Sequence, residues 1–296
     1  MSEHDSTDQP AVTQDMISLF DDYTHLSLDR RKFMDNLAKL AGSMSAAVTV
    51  AGLMASNAQA QGLVPETDER LSIETVTYPG GSGEMSGYLA KPKTAGPFGA
   101  VIVVHENRGL NAHIKDIARR VALEGFVTLA PDYLSAQGGT PASEDDARAL
   151  FGNLQPAGVT ADGVASTAYL KTRDDVNGKV GAMGFCWGGG TVNSLAVATP
   201  DLAAAVAYYG AQPNAAEVPN IKAKLLLHYG GLDDRINAGI PAFEEALKAA
   251  GTDYELFVYA GANHAFNNDT SAARYDKAAA DLAWSRTIGL FKETLA

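Results

Sequence analysis

The chain has 296 residues, of which 46% are hydrophobic and 20% charged, so it is long and apolar enough to build a full globular core. Its formal net charge is −12, and no block of basic residues could grip a phosphate backbone, which excludes nucleic acid as an expected partner. The single cysteine, Cys186, excludes an internal disulfide.

The first sixty residues are typical of an export signal. The pair Arg30-Arg31 precedes an apolar pair by one residue, and residues 40–65 carry no charge. The small-residue motif Ala58-Gln59-Ala60 then matches a cleavage site. We therefore expect residues 1–60 to be a twin-arginine-like signal, cleaved near Ala60. The expected partner is the twin-arginine export machinery, and the expected location is the periplasm or the exterior of a bacterium.

The alternative is a cytoplasmic protein that retains an amphipathic N-terminal helix over residues 16–40. Two departures from the usual signal keep this alternative open, because Asp29 precedes the arginine pair and Asp35 follows the apolar pair. The uncharged stretch is rich in Ala, Gly and Ser rather than Leu and Ile. Such mild hydrophobicity predicts no stable membrane span.

Residues 61–296 alternate strand and helix patterns and predict one domain. Polar–apolar alternation around a glycine-rich turn predicts an antiparallel hairpin at a sheet edge, followed by a continuously apolar strand buried on both faces. The predicted strands cover residues 72–78, 85–90, 100–104, 126–130, 179–184, 203–209, 223–229 and 254–259, and the predicted helices cover residues 114–124, 163–173, 187–199, 240–251 and 272–290. The pattern predicts a mostly parallel central sheet with helices on both faces, and catalytic groups on loops at the carboxyl ends of its strands.

The only cysteine lies in a nucleophile-elbow pattern. Residues 184–188 read G-x-C-x-G directly after an apolar run, as in an α/β-hydrolase that carries cysteine in place of serine. Glycines two residues to either side let the strand and the following helix approach closely around a strained nucleophile. The backbone N–H of Trp187 and the helix N-terminus would then face a developing oxyanion.

The order of residues along the chain selects the base and the acid. In the α/β-hydrolase fold the nucleophile is followed by the acid and then by the histidine, and His264 is the histidine that lies beyond the candidate acids. The turn after the strand at 223–229 offers Asp233, which we prefer, and Asp234 as the alternative. One of the two is expected only to pair with Arg235 on the surface.

A charged cluster follows the buried strand at 100–104, where it is costly unless it lines a site. Asn111 is expected to cap the next helix, and His105 to close the strand end with a hydrogen bond. Glu106 is a candidate functional carboxylate. Asn107 is placed to give the second N–H of an oxyanion hole, since this loop supplies one in the α/β-hydrolase fold.

Taken together, the motifs resemble those of the dienelactone hydrolase family. The likeness covers H-E-N-R-G-L-N from His105, G-F-C-W-G-G-G from Gly184, G-G-L-D ending at Asp233 and N-H-A-F around His264. The resemblance implies a cysteine hydrolase of lactones or esters with a Cys186–His264–Asp233 triad. It also implies that Glu106 helps to form the thiolate when substrate binds.

The sequence departs from this family at one position. Where the resemblance expects an arginine that binds a substrate carboxylate, the chain has Asn268, so a neutral ester or another lactone fits equally well. Arg108, Arg148 or Arg235 are candidates to replace that arginine. Arg108 is also a candidate substrate contact, together with Tyr133 and Trp187.

The pattern predicts neither a cofactor nor a metal, because the chain lacks H-E-x-x-H and its cysteine has no thiolate partner. The expected partner is a small ester or lactone substrate. Other interpretations are a redox-active or peroxide-reducing thiol protein and a non-catalytic relative of the fold that binds small molecules. A serine-hydrolase-like peptidase is a closer alternative, although peptidases of this fold commonly carry large extra domains.

Overall fold

The computed structural model of the protein describes residues 11–25, 28–55 and 62–296. The described helices are α1 (Gln14–His25), α2 (Arg30–Ala41), α3 (Met44–Met54), α4 (Ala112–Leu123), α5 (Glu144–Phe151), α6 (Pro156–Lys171), α7 (Trp187–Ala198), α8 (Asp234–Asn237), α9 (Ile240–Ala250) and α10 (Lys277–Leu295). The strands are β1 (Leu71–Pro79), β2 (Glu84–Pro92), β3 (Phe98–Val104), β4 (Val127–Asp132), β5 (Val176–Phe185), β6 (Ala204–Tyr208), β7 (Lys224–Gly230) and β8 (Tyr254–Tyr259).

The eight strands form one sheet in the order β1-β2-β4-β3-β5-β6-β7-β8. β1 pairs antiparallel with β2, and β2 pairs antiparallel with β4, whereas every later neighbour is parallel. The predicted strands, the hairpin at the sheet edge and the mostly parallel sheet are confirmed.

Helices cover both faces of the sheet, as predicted. Successive side chains of a strand point to opposite faces. Val101 and Val103 of β3 accordingly belong to a buried cluster shared with α4 and α10, whereas Ile102 and Val104 belong to a cluster shared with α6, α7 and α9. This two-layer cover holds the central parallel strands rigid, and their carboxyl ends carry the candidate site.

Several helices start at a different residue from the one predicted, because the residue at the N-terminus or N-cap fixes where each helix begins. The helix predicted over 163–173 begins instead at Pro156, whose fixed φ suits the first turn of a helix. Helix α5 was not predicted; Ser143 caps it by accepting a hydrogen bond from the Asp146 N–H at 3.2 Å. The last helix, predicted over 272–290, starts after its cap Asp276 and runs to Leu295.

The N-terminal segment, which we define as α1–α3 (residues 14–54), folds into three helices that share a core. The helix considered over 16–40 is therefore interrupted between α1 and α2, where Asp29 caps α2 by accepting from the Lys32 N–H at 2.9 Å. The buried side chains of this core are Met16, Ile17, Phe20, Tyr23, Phe33, Leu37, Ala47, Val50 and Met54. The cleavage motif at Ala58–Ala60 lies outside the described residues.

Among the described helices, none on its own has the length and apolar composition needed to cross a membrane. Helices α2 and α3 meet those criteria only as a joined pair, and they are bent at 108° to each other.

Candidate active site

Cys186 lies on a strained turn between β5 and α7. Its φ is 56° and its ψ is −116°, a conformation that L residues rarely adopt. A Cβ on Gly184 would lie 2.2 Å from the Gly188 carbonyl oxygen, and a Cβ on Gly188 would lie 2.4 Å from the Val104 carbonyl oxygen. Because neither position has room for a side chain, the two glycines allow the crossing of strand and helix that presents the thiol at the N-terminus of α7.

His264 and Asp233 form a buried pair beside this turn. His264 Nδ1 lies 2.6 Å from Asp233 Oδ2, and Asp233 Oδ1 accepts a hydrogen bond from the Ile236 N–H at 3.3 Å. Both side chains are buried, whereas Asp234 is exposed. The aspartate therefore directs the second ring nitrogen of His264, Nε2, away from itself. Within the described chain, Nε2 has no hydrogen-bond partner, so it is available to a reacting oxygen.

The loop after β3 is held by His105. The Tyr133 N–H donates to His105 Nε2 at 3.2 Å, so the proton of the neutral ring is on Nδ1 and is donated to the Glu106 carbonyl oxygen at 2.8 Å. Burial lowers the pKa of His105 and keeps the ring neutral. His105 closes the strand end and Asn111 caps α4, accepting from the Ile114 N–H at 3.2 Å, as expected from the sequence.

Glu106 is buried and turns toward Asn268. The Asn268 side-chain amide donates to Glu106 Oε2 at 3.0 Å. Asn268 thus occupies the position at which an arginine was expected and holds the carboxylate instead. Both Glu106 and Arg108 line a cavity of about 20 Å³ that also reaches Cys186 and His264.

One residue of this site was not foreseen. His25, at the end of α1, lies with its Nε2 3.0 Å from Cys186 Sγ, and its ring meets that of His264 edge to face with centroids 4.6 Å apart. From the sequence, His25 was excluded as a candidate base, because in this fold the base follows the acid along the chain. The available signal was the apolar face of α1, whose Ile17, Phe20 and Tyr23 pack in the core shared with α2 and α3 and so indicate a folded N-terminal segment.

A cavity of about 590 Å³ opens over the thiol. Its walls include the elbow with Trp187, the loops that carry Tyr209 and His264, the C-terminal end of α5, part of α8 and the N-terminal segment. Two arginines, Arg148 and Arg235, also line it. The full lining is Thr24, His25, Leu28, Asn107, Arg148, Phe151, Gly152, Cys186, Trp187, Tyr209, Ala211, Arg235, Ile236 and His264.

Two predicted substrate contacts are placed differently from expectation. Tyr133 is buried behind Trp187, with ring centroids 5.5 Å apart, and is not part of the lining of either cavity that reaches Cys186. The strand end that carries it turns its ring into the core, so its assignment to the pocket wall is wrong. Of the two cavities that reach Cys186, Arg108 lines only the small one, and Asp145 Oδ1 lies 3.7 Å from its guanidinium. Trp187 lines the large cavity.

The electrostatics of the site favour an ion pair. Burial opposes ionisation of the Cys186 thiol, but the His25 and His264 imidazoles outweigh it and lower the pKa of the thiol to about 6. Burial also opposes the imidazolium of His264, yet Asp21, Asp233 and the cysteine raise the pKa of His264 well above its ordinary value. Both shifts favour a thiolate on Cys186 and a protonated His264 near neutral pH.

The same atoms are a possible set of metal donors. His25, Cys186 and His264 each offer one ligand atom, and these atoms lie within 4.8 Å of one another. Tetrahedral zinc would hold sulfur and nitrogen ligands roughly 3.5 Å apart. The 3.0 Å between His25 Nε2 and Cys186 Sγ is instead a hydrogen-bond distance.

Comparison with known proteins shows to which family the chain belongs. The dienelactone hydrolase family matches residues 85–295 of the chain. The chain belongs to the dienelactone hydrolase family. As a member, it is a hydrolase with the α/β-hydrolase fold. A Synechocystis protein named “Putative carboxymethylenebutenolidase” is 35% identical over 238 residues, which cover 74% of this chain and 96% of that protein.

Solved structures of this family share the same fold. The “Putative Dienelactone Hydrolase” of Klebsiella pneumoniae superposes with a TM-score of 0.70 at 30% identity, over 75% of this chain and 99% of that one. The dienelactone hydrolase-like promiscuous phosphotriesterase P91, from metagenomic libraries, gives a TM-score of 0.69 at 26% identity, over 77% of this chain and 100% of that one. The Klebsiella and P91 chains are covered almost entirely, while about a quarter of this chain lies beyond the superposed part.

Proposed function

We propose that this dienelactone hydrolase family member cleaves carboxylic esters or lactones through a Cys186–His264–Asp233 triad and a thioester intermediate. One observation carries the proposal: the thiol on the elbow faces a buried histidine–aspartate pair at the floor of a 590 Å³ cavity. This is the nucleophile, base and orienting acid of acyl transfer, gathered where a small substrate can enter.

The reaction begins with attack of the Cys186 thiolate on the ester carbonyl carbon. The backbone N–H groups of Trp187 and Asn107 are the proposed donors to the resulting oxyanion, and Trp187 begins α7, whose N-terminus favours negative charge. His264 donates its Nε2 proton to the leaving oxygen as the thioester forms. The neutral ring then takes a proton from water, which attacks the thioester and releases the acid and the thiolate.

Glu106 has a supporting role in this proposal. Its buried carboxylate is bound by Asn268 at 3.0 Å and borders the small cavity that reaches the thiol. The carboxylate adds negative charge beside the reacting centre. The resemblance implies that substrate binding moves it against the thiol.

The cavity admits a substrate that carries an anionic group. Asn268 cannot form a bidentate clamp, but Arg148 and Arg235 line the same cavity as Cys186. Asp21 lies 3.7 Å from Arg235, so that arginine is already partly neutralised. Neutral esters and lactones therefore remain substrates of equal standing with carboxylate-bearing ones.

The proposed activity predicts thiol-dependent turnover. The full chain incubated with aryl esters and with lactones, neutral and carboxylate-bearing, should release acid, and pretreatment with iodoacetamide should remove all of that turnover. The product is measured by absorbance or by titration of the acid formed. Turnover that survives alkylation would contradict the triad. Absence of turnover together with stoichiometric oxidation of Cys186 by peroxide would favour the redox interpretation.

Export by the twin-arginine machinery to the periplasm is our proposal for the location of the protein. Its support is the Arg30-Arg31 pair and the uncharged stretch that follows. Cleavage near Ala60 would remove the N-terminal segment together with its contacts to the cavity. A cytoplasmic chain that retains the segment is the alternative, and the packing of α1 beside the thiol supports it.

Export predicts a processed protein. A C-terminally tagged chain should accumulate in the periplasm with an N-terminus near Gln61, and an Arg30→Lys, Arg31→Lys double variant should stay in the cytoplasm. Cell fractionation and mass spectrometry of the intact protein measure both results. A soluble cytoplasmic pool that begins at Met1 or Ser2 would reject processing and leave the segment in place.

A further inference from the structure

Two histidine–aspartate pairs flank the thiol of Cys186. One is His264 with Asp233 from the catalytic domain, and the other is His25 with Asp21 from α1. His25 Nδ1 lies 3.0 Å from the Asp21 carbonyl oxygen and 3.5 Å from Asp21 Oδ1, while its Nε2 lies 3.0 Å from Cys186 Sγ. The second pair, from the opposite end of the chain, differs from the first in its contacts. Asp233 meets His264 Nδ1 through its carboxylate at 2.6 Å, whereas His25 Nδ1 is in hydrogen-bond range of the Asp21 backbone carbonyl and of Thr24 Oγ1 at 2.9 Å, with the Asp21 carboxylate beyond them.

Specific contacts hold α1 in this position. The Asn107 side-chain amide donates to the Thr24 carbonyl oxygen at 2.9 Å, and the Gln14 amide donates to Asn263 Oδ1 at 2.7 Å. Asn107 and Asn263 adjoin Glu106 and His264, so each end of α1 is bound to a loop of the active site. A third contact stacks the guanidinium of Arg148 on the ring of Tyr23, 4.0 Å from its centroid.

The helix forms a wall of the cavity and leaves its interior open. Thr24, His25 and Leu28 line one side, and about 590 Å³ remains between them and the opposite wall. His25 therefore touches the nucleophile while a small substrate still has room to reach it. His25 is therefore placed to take part in the reaction. A segment that blocked the site would instead fill the cavity.

We propose that His25 is a catalytic residue of the chain that retains its N-terminal segment, accepting the proton of the Cys186 thiol and then donating a hydrogen bond to the thiolate. The backbone carbonyl oxygen of Asp21 accepts from Nδ1 at 3.0 Å and so orients the ring, and the Asp21 carboxylate adds negative charge beside it. The inference rests on the proposed function, because it assigns a second imidazole to the same nucleophile.

The two histidines then have separate roles: His25 takes the thiol proton once and keeps it while it donates to the thiolate, and His264 makes both proton transfers of each turnover. The thiol proton passes to Nε2 of neutral His25, which leaves a thiolate and an imidazolium. His264, protonated beforehand, gives its proton to the leaving alkoxide, and takes one back from the water that attacks the thioester. Release of the carboxylic acid restores the thiolate with both rings protonated, so no further proton donor is needed.

This division transfers to His25 a role that the resemblance implies for Glu106. The Glu106 carboxylate is held by Asn268, whereas His25 is in hydrogen-bond contact with the sulfur.

The test uses the full chain and its single cysteine. His25→Ala and His25→Gln are compared with the wild type in the rate of alkylation by iodoacetamide as a function of pH, and in kcat/KM for an aryl ester. The wild-type midpoint should lie near the thiol pKa of about 6. In His25→Ala it should rise by about 1 to 3 units, with a loss of about 100-fold in kcat/KM at pH 7. Gln, which keeps an N–H donor, should lose less.

Imidazole in the buffer should restore part of the activity of His25→Ala, because a small ring can occupy the vacated space. Asp15→Asn, on an exposed residue of the same helix, should match the wild type. An unchanged alkylation midpoint, a rise in activity, or a loss that imidazole does not repair would overturn the proposal. If the wild type hydrolyses no ester, the proposed function fails, and the alkylation midpoint still decides for or against His25.

Discussion

Replacing Cys186 with alanine should lower kcat/KM for an aryl ester by at least about 10⁴-fold, because loss of a nucleophile leaves only the binding and oxyanion contributions. The remaining groups cannot form a thioester. The measurement is the initial rate at substrate concentrations below KM, with purified full chain. Turnover within tenfold of the wild type would remove Cys186 from the mechanism.

Two controls separate chemistry from folding in this experiment. The Cys186→Ala variant should keep its fold, with a change of about 1 kcal/mol in the free energy of unfolding, because the side chain that is removed is small. Cys186→Ser should also lose most activity. Its hydroxyl lacks the low pKa that the two imidazoles give the thiol, about 6, so little alkoxide forms at neutral pH.

Replacing His264 with alanine should lower kcat/KM by about 10³- to 10⁴-fold, since the leaving oxygen and the attacking water both lose their proton partner. The loss should appear in kcat rather than in KM, because the imidazole acts on groups that change charge in the transition state. Initial rates over a range of substrate concentrations measure the two terms. A harmless substitution would place the base elsewhere, and His25 would be the first alternative.

The adjacent aspartates provide a matched control for the histidine. Asp233→Asn should cost about 10²- to 10⁴-fold in kcat, because an amide in this position no longer stabilises the imidazolium and favours the wrong tautomer. Asp234→Asn removes the same charge one residue away at an exposed position and should change kcat less than twofold. The reverse order would move the acid by one residue.

Much of the site follows from local sequence. The elbow can be predicted from the sequence because it depends on residues close to Cys186 in the chain. At Gly184 and Gly188 any Cβ would clash with backbone atoms, so glycine is required at both positions. His264 and Asp233 are readable because parallel strands bring the loops that follow them to one edge. The membership of the family was equally visible in these motifs and is confirmed by the match over residues 85–295.

The helix boundaries and the side chains of the pocket wall were harder to predict from the sequence. Helix α6 contains two glycines that weaken its pattern, and its true start depends on Pro156. Tyr133 was placed correctly near a strand end, but the direction of a ring depends on its neighbours, and Trp187 and His105 pack against it from the cavity side.

Residues near each other in the chain thus determine the strands and the elbow, because each is encoded by spacing and sterics within a few positions. The order of the parallel strands then brings the loops that carry Asp233 and His264 to the edge where Cys186 lies. The neighbours of the thiol depend on contacts that no local pattern encodes. His25 and Cys186 are 161 residues apart. They meet because α1, packed in the core of the N-terminal segment, is bound at one end by Asn107 and Arg148 and at the other by Asn263. Packing between distant segments supplies the second imidazole, since burial rewards contact regardless of separation along the chain.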